Sequence, residues 1–448
     1  MHKSFIRKTL ITIAMTAALT LTTSVPSFAV TGDLPKAPKL DCTSAILMDA
    51  KSGEILYEKN AYEQRDPASV TKILTCMVAL EHLDLDEVVT VDYQPVSEGT
   101  SIHLQEGETM SVRDIVYGMM VKSGNDAAEY LAYKVAGNIP DFCDMMNEKA
   151  KACGAKNNKF NNPNGLNPKE VNNLTTAYDL AVISREAMKD PQFRDIVQTA
   201  KLTIEPTNKS EKRKYKYSNR CLWDKKHKAE INGVETPFYY EGCIGVKTGY
   251  SSTAGNCFAG YVTRNGQDFI TVVMNAPHEK QRYTEAIKLW DYAFANFRTY
   301  TAAKSGDVQD AIRVKRGSLA AVDIGLAEDC CITVTTKETP EETVKTEVVT
   351  TEETLEAPIK KGTVLGELVV YNNGEEATRQ NLVALEEVEK GGPLSCIGIP
   401  DEYLPIFIIV LITALLIIIL IWILRVRKRN EIRRKKREER RQQRNENV

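Results

Sequence analysis

The feature that most limits what this chain can fold into is the run Ile406–Leu424, "IFIIVLITALLIIILIWIL", apolar apart from one threonine and without a charge. At a rise of about 1.5 Å per residue, a helix of that length roughly crosses a hydrocarbon core ~30 Å thick. The run is followed at once by "RVRKRNEIRRKKREERRQQR", and basic residues collect on the cytoplasmic side of a membrane. This predicts a transmembrane helix over 406–424 and a basic cytoplasmic tail over 425–448, rather than a buried core helix. At the other end, "MHKSFIRK", the apolar "TLITIAMTAALTL" and the small-residue site "SFA" at Ser27–Ala29 make the three parts of a secretory signal, so 1–29 reads as a signal peptide. What lies between is expected outside the cell, anchored by its tail.

The formal net charge of −2 hides a strong polarity. The tail carries twelve Lys/Arg against four Asp/Glu and the signal start adds three bases, which leaves about −13 on residues 9–424. An acidic body offers no electrostatic footprint for nucleic acid, so none is expected as a partner; the basic tail reads as a topology signal in contact with anionic lipid. The ten cysteines are scattered with no CxxC pair. No zinc pattern appears, and neither a metal nor a cofactor is expected. Spacing leaves open whether these thiols form disulfides outside the cell or stay free in reducing surroundings.

At 448 residues there is room for two or three domains. "SAILMDAKSGEILYEKN" (44–60) reads as two strands around a Lys-Ser-Gly turn. In "RDPASVTKILTCMVALEHL" (65–83), Val70, Ile73, Leu74, Met77, Val78 and Leu80 follow helical spacing, with Asp66 at the cap and Pro67 at the first position. "MSVRDIVYGMMVKSGNDAAEYLAYKVAG" (110–137) reads as two helices broken at Ser123-Gly124-Asn125, the second capped by Asp126 with Glu129 three later. Another capped helix starts at Thr175. Residues 243–276 read as three antiparallel strands, the last two joined at Asn265-Gly266. Strands, helices and strands again describe an α+β domain over 30–298. A small β-rich domain is expected over 299–392, with the Thr/Glu-rich "TKETPEETVKTEVVTTEETLEAP" as a solvated excursion, and a linker over 393–405.

A serine hydroxyl needs a neighbouring base to act as a nucleophile. His82, His103, His227 and His278 lie in no recognisable catalytic setting. Lys72 is the other candidate: it shares one face of a first helical turn with Ser69, where burial, the helix N-terminus and a second cation would lower its pKa. At the helix break, Ser123 can relay a proton to a leaving group and Asn125 can bind a substrate amide. On the strand at 247–249, Lys247 can attract a carboxylate, Thr248 can hydrogen-bond it, and Gly249 lets a ligand backbone come close.

The order SxxK, SGN, KTG is that of penicillin-binding proteins and class A β-lactamases. With "DPASVTKILT", "VKSGNDAA", "FNNPNGLN" and "GVKTGYSSTAGNCFAGY", the region Cys42–Arg298 resembles the serine D-alanyl-D-alanine carboxypeptidases, the low-molecular-weight penicillin-binding proteins. The resemblance implies a β-lactamase/transpeptidase-like α+β domain, helices packed on an antiparallel sheet, followed by the small β-rich domain. It implies Ser69 as the acylated nucleophile, Lys72 as its proton acceptor, and Ser123 and Asn125 as further catalytic residues. Lys247, Thr248, Gly249 and Tyr250 would bind substrate, with the backbone N–H groups of Ser69 and Tyr250 as an oxyanion hole. The implied reaction removes the terminal D-alanine from peptidoglycan pentapeptide stems, with β-lactam antibiotics as inhibitors.

Two features depart from that pattern. The tail spans the membrane where the family often has an amphipathic surface helix, and extra residues separate Asn219-Arg220-Cys221-Leu222-Trp223 from KTG, which leaves Arg220 open as an added carboxylate contact. Other readings are a β-lactamase using Glu170, a transpeptidase resolving the same acyl-enzyme with another nucleophile, or a penicillin sensor. The last would need an effector, and the short tail has no apolar pattern to form one.

Overall fold

Apolar residues alternate along β1 (Ser44–Asp49), so that Ala45 and Leu47 face one side of a sheet while Ile46 and Met48 face the other. In the computed structural model, which describes residues 36–96, 98–166 and 172–446, both sides are covered. The expected signal peptide over 1–29 lies outside those residues, as does Glu170. With β2 (Ile55–Lys59), β3 (Cys243–Ser251), β4 (Gly255–Arg264) and β5 (Gln267–Ala276), β1 forms an antiparallel five-stranded sheet in the order β2-β1-β5-β4-β3. The β4–β5 turn falls at Asn265 (φ 53°) and Gly266 (φ 76°), the left-handed pair that a two-residue hairpin demands.

One face carries the helices α1 (Lys72–His82), α2 (Val112–Tyr117), α3 (Asn125–Ala136), α4 (Ile139–Ala152), α5 (Ala177–Ala187) and α6 (Pro191–Val197). Ile46, Met48, Ile270, Val272 and Met274 pack there against Ile73, Leu74, Leu131 and Leu180. The other face carries α7 (Gln281–Asn296), whose Tyr283 and Trp290 meet Phe258 edge to face. Helix starts are fixed locally: Ser111, Asn138, Thr176 and Asp190 accept from backbone N–H groups two or three residues on.

Two local expectations change. The nucleophile segment opens with a 3-10 turn over Ala68–Thr71 before the α-helix starts at Lys72. Asp126 and Glu129 do not cap α3. Asp126 accepts instead from Ser101 Oγ (2.6 Å), Leu104 N (2.9 Å) and Ile102 N (3.0 Å), and Glu129 from Tyr93 OH (2.6 Å) and Val96 N (2.9 Å). Both carboxylates are buried, and buried acceptors go to whatever donors the fold brings. The ten cysteines, all among the described residues, form no disulfide with one another.

Contacts divide the chain into two units, the first reaching Ala302 and taking in Cys331–Val344 and Tyr371–Thr378, the second made of Ala303–Cys330, Lys345–Val370 and the chain from Arg379. The later strands β6 (Val308–Lys315), β7 (Ala321–Leu326), β8 (Val344–Thr350), β9 (Thr354–Glu356), β10 (Val364–Asn372) and β11 (Glu375–Ala384) form a six-stranded sheet in the order β8-β10-β11-β7-β6-β9. Ile312, Val322, Ile324, Leu368, Val370 and Leu382 are buried in it. The Thr/Glu-rich stretch is not a solvated excursion: it forms one helical turn at Pro340–Thr343 and then the edge strand β8. Its β-branched Val and Thr residues favour the extended chain, and its charges suit a sheet edge. The last helix, α8 (Leu404–Glu446), contains the apolar run with its side chains exposed, and has the length and composition of a membrane-crossing helix.

Candidate active site

Ser69, Lys72, Ser123, Asn125, Lys247 and Thr248, scattered over the sequence, are brought together where α1, the α2–α3 break and β3 meet. Lys72 and Lys247 are fully buried, and among the described residues neither has a carboxylate at ion-pair distance. Lys72 Nζ lies 3.0 Å from Ser69 Oγ, 2.7 Å from Asn125 Oδ1 and 2.7 Å from the Asn164 carbonyl oxygen. Two of these three can only accept. Asn125 is held in that orientation because its Nδ2 donates to the Glu98 carbonyl at 2.6 Å, and a carbonyl accepts in any protonation state. A neutral Lys72 has two N–H bonds and one lone pair, so it donates to Asn125 and Asn164 and turns its lone pair to the one neighbour with a proton to give, Ser69. Burial and the nearby Lys247 charge push Lys72 well below the usual lysine range, which favours that neutral form.

The α2–α3 break is built by strain. Residues Gly118–Lys122 form a π-turn, and Ser123 follows in the left-handed region (φ 66°, ψ 35°). Its hydroxyl accepts from Lys247 Nζ at 3.0 Å. Lys247 also donates to the Thr248 carbonyl at 3.0 Å, and burial with the Arg282 charge lowers its pKa to about 7. Both ends of the Asn125 amide are engaged inside the protein, where the sequence reading gives it a substrate amide to bind. At Gly249 the crowding comes from the protein itself: a Cβ there would stand 2.7 Å from the Pro67 carbonyl oxygen. The Tyr250 side chain is exposed at the end of β3.

The same folding pattern is found in known proteins. The family model for D-alanyl-D-alanine carboxypeptidases matches residues 31–278, more than half of the chain.

The chain belongs to the D-alanyl-D-alanine carboxypeptidase family.

The model for the C-terminal domain of penicillin-binding protein 5 matches residues 297–390. Among curated relatives, the D-alanyl-D-alanine carboxypeptidase DacF of Bacillus subtilis is 31% identical over 358 residues, 79% of this chain and 87% of that protein. Among solved structures, penicillin-binding protein 5 from Haemophilus influenzae superposes with a TM-score of 0.65 at 30% identity, covering 80% of this chain and all of that one. A peptidoglycan synthesis regulatory factor (PBP3) from Streptococcus pneumoniae gives 0.61 at 26% identity over 79% of this chain and 100% of its own. This serine-type D-Ala-D-Ala carboxypeptidase thus carries the transpeptidase-like fold with the additional β domain.

Two residues of the carboxypeptidase site escape the sequence reading. Arg282, buried near the start of α7, donates from Nη1 to the Gly249 carbonyl (3.1 Å) and from Nη2 to Tyr283 OH (2.8 Å). Tyr283 OH in turn donates to the Ser218 carbonyl (2.6 Å), and Ser218 Oγ is hydrogen-bonded to Thr248 Oγ1 at 2.5 Å. Nothing in the periodicity of α7 marks Arg282. Asn164 supplies its carbonyl from a loop that ties its own backbone together, with Asn162 Oδ1 accepting from Gly165 N (2.7 Å) and Asn173 Nδ2 donating to Thr71 Oγ1 (3.1 Å). The run of asparagines around Pro163 and Gly165 was the available signal. Arg220 is otherwise occupied: it pairs with Asp224 at 2.7 Å and stacks over the Phe238 ring.

Proposed function

We propose that this carboxypeptidase removes the terminal D-alanine from peptidoglycan pentapeptide stems through an acyl-enzyme on Ser69. The observation that carries the reading is the neutral Lys72 amine, whose one hydrogen-bond neighbour able to give a proton, among the described residues, is Ser69. Lys72 takes that proton as Ser69 Oγ bonds to the carbonyl carbon of the penultimate D-alanine. The oxyanion is held by the N–H groups of Ser69 and Tyr250. The C–N bond then breaks while a proton passes through Ser123 to the leaving amine, and D-alanine departs. Water, giving its proton to Lys72, cleaves the ester and restores Ser69. Lys247, Thr248 and Gly249 bind the terminal substrate residue, and Lys247 with Arg282 draws its carboxylate into a pocket that holds buried positive charge.

A β-lactam presents a strained amide to the same serine and is expected to acylate it. The catalytic domain takes 30–298 and the β-rich domain 299–392. The helix over 406–424 anchors the protein, with the catalytic domain outside the cell and the basic tail over 425–448 in the cytoplasm.

The test is D-alanine release from a diacetyl-Lys-D-Ala-D-Ala peptide by the full chain in detergent, beside labelling by a fluorescent penicillin. Ser69→Ala is expected to lower release by more than about 10³-fold and abolish labelling. Labelling that survives in Ser69→Ala refutes the assignment.

A further inference from the structure

We infer that Asp66 is a positioning residue that sets the separation of the two oxyanion donors, the backbone N–H groups of Ser69 and Tyr250. The inference rests on the acyl-enzyme reading above and adds a residue to it. Asp66 Oδ1 accepts from Ala68 N at 2.8 Å, one residue before Ser69. Its Oδ2 accepts from Thr253 Oγ1 at 2.6 Å and Ser251 Oγ at 3.2 Å, and Ser251 is one residue after Tyr250. A single carboxylate therefore grips the nucleophile turn with one oxygen and the β3–β4 turn with the other, immediately outside each donor.

The segments it joins have little other freedom. Ala68 sits at φ 46°, a left-handed conformation that a non-glycine residue adopts only when its surroundings impose it. The Asp66 hydrogen bond to its N–H is such a constraint. Ser251 Oγ accepts from Ala254 N at 3.0 Å, so the hydroxyl that donates to Asp66 also closes the β3–β4 turn. Gly249 approaches Pro67 and Ala68 so closely that a Cβ would meet both. The two walls of the oxyanion hole thus press together at Gly249, and Asp66 fixes how far apart they stay at the next residue along. Oxyanion stabilisation depends on donors lying about 2.7–3.1 Å from where the charge develops, a tolerance finer than unbraced turns would keep.

The effect is confined to the tetrahedral state. Asp66→Ala, in the full chain in detergent, is expected to slow penicillin acylation of Ser69 at least tenfold and to weaken a peptide boronic acid, which forms a tetrahedral adduct on Ser69, by the same factor. The dissociation constant of the initial non-covalent penicillin complex stays within twofold. Asp66→Asn keeps an acceptor for Ala68 N and a polar group for the two hydroxyls, and restores the acylation rate and the boronate affinity to within threefold of wild type. Thr253→Ala removes one exposed hydroxyl and no buried group, so it reads the same linkage if Asp66→Ala fails to fold; it is expected to lower acylation and boronate affinity together, with Thr253→Ser restoring them. Equal loss of non-covalent affinity and acylation, or unchanged boronate affinity in both Asp66→Ala and Thr253→Ala, overturns the inference and leaves Asp66 a structural cap. If wild-type Ser69 is not acylated at all, the acyl-enzyme reading falls, and this inference with it.

Discussion

At the scale of single residues, the site works by placing two lysines where neither is comfortable when charged. In the proposed mechanism Lys72 must be neutral to accept a proton, and burial beside Lys247 pushes it that way. The same mechanism needs Lys247 charged to attract a carboxylate, yet burial and Arg282 lower it to about 7. The two demands oppose each other in pH. Raising the pH adds neutral Lys72 and removes charged Lys247, so kcat/KM is expected to be bell-shaped, with limbs that belong to the coupled pair. In kcat the falling limb moves to higher pH, because a bound carboxylate stabilises the Lys247 charge. Arg282→Gln shifts it upward in kcat/KM as well and raises KM. Steady-state kinetics across the neutral range check both. Ser69, Lys72, Ser123 and Lys247 were legible in the sequence because their chemistry fixes short spacings and residue types. Arg282 and Asn164 were not: one is an ordinary arginine on a helix far along the chain, and the other acts through its backbone, which no side-chain pattern encodes.

Among the elements, the loop over 162–166 has the least room to change. Gly165 has φ 81°, and a Cβ there would stand 1.9 Å from the Ala68 carbonyl oxygen, a backbone atom that cannot swing aside. Gly165→Ala is therefore expected to destabilise the protein by about 1–3 kcal/mol and to slow penicillin acylation by about 10²-fold as the Asn164 carbonyl and the nucleophile turn move apart. Thermal denaturation and the labelling rate measure the two effects separately. The regular elements near the site follow from alternation and caps, since burial on a sheet or helix face repeats with a period the sequence must show. The exceptions are instructive. The 3-10 turn at Ala68–Thr71 and the π-turn at Gly118–Lys122 are single turns, too short to imprint a period, and they set the angles of Ser69 and Ser123. Asp126 and Glu129 had the spacing of a cap but are drawn to donors from the 93–104 loop.

For the whole molecule, the apolar run in α8 and the basic stretch behind it were the plainest signals in the sequence, because membrane solubility depends on bulk composition rather than on tertiary contacts. A chain ended after Tyr403 is expected to leave the membrane fraction without detergent while still releasing D-alanine at the full-length rate; membrane partition and the release assay check it. Less legible was the six-stranded sheet, whose edge strand β8 has a composition typical of solvated chain. The order of the five-stranded sheet has a kinetic consequence. Its second strand, β1, is flanked by β2, made just afterwards, and by the central β5, over two hundred residues later, with Ser44 opposite Met274. Until the last of these strands has emerged, β1 has one open edge, and α1 has no finished sheet to pack on. Such non-local pairing is slow and comes late, so on the export route proposed above the chain would stay threadable through a translocation channel for as long as it is being moved. On that route the site around Ser69 would be assembled only on the far side.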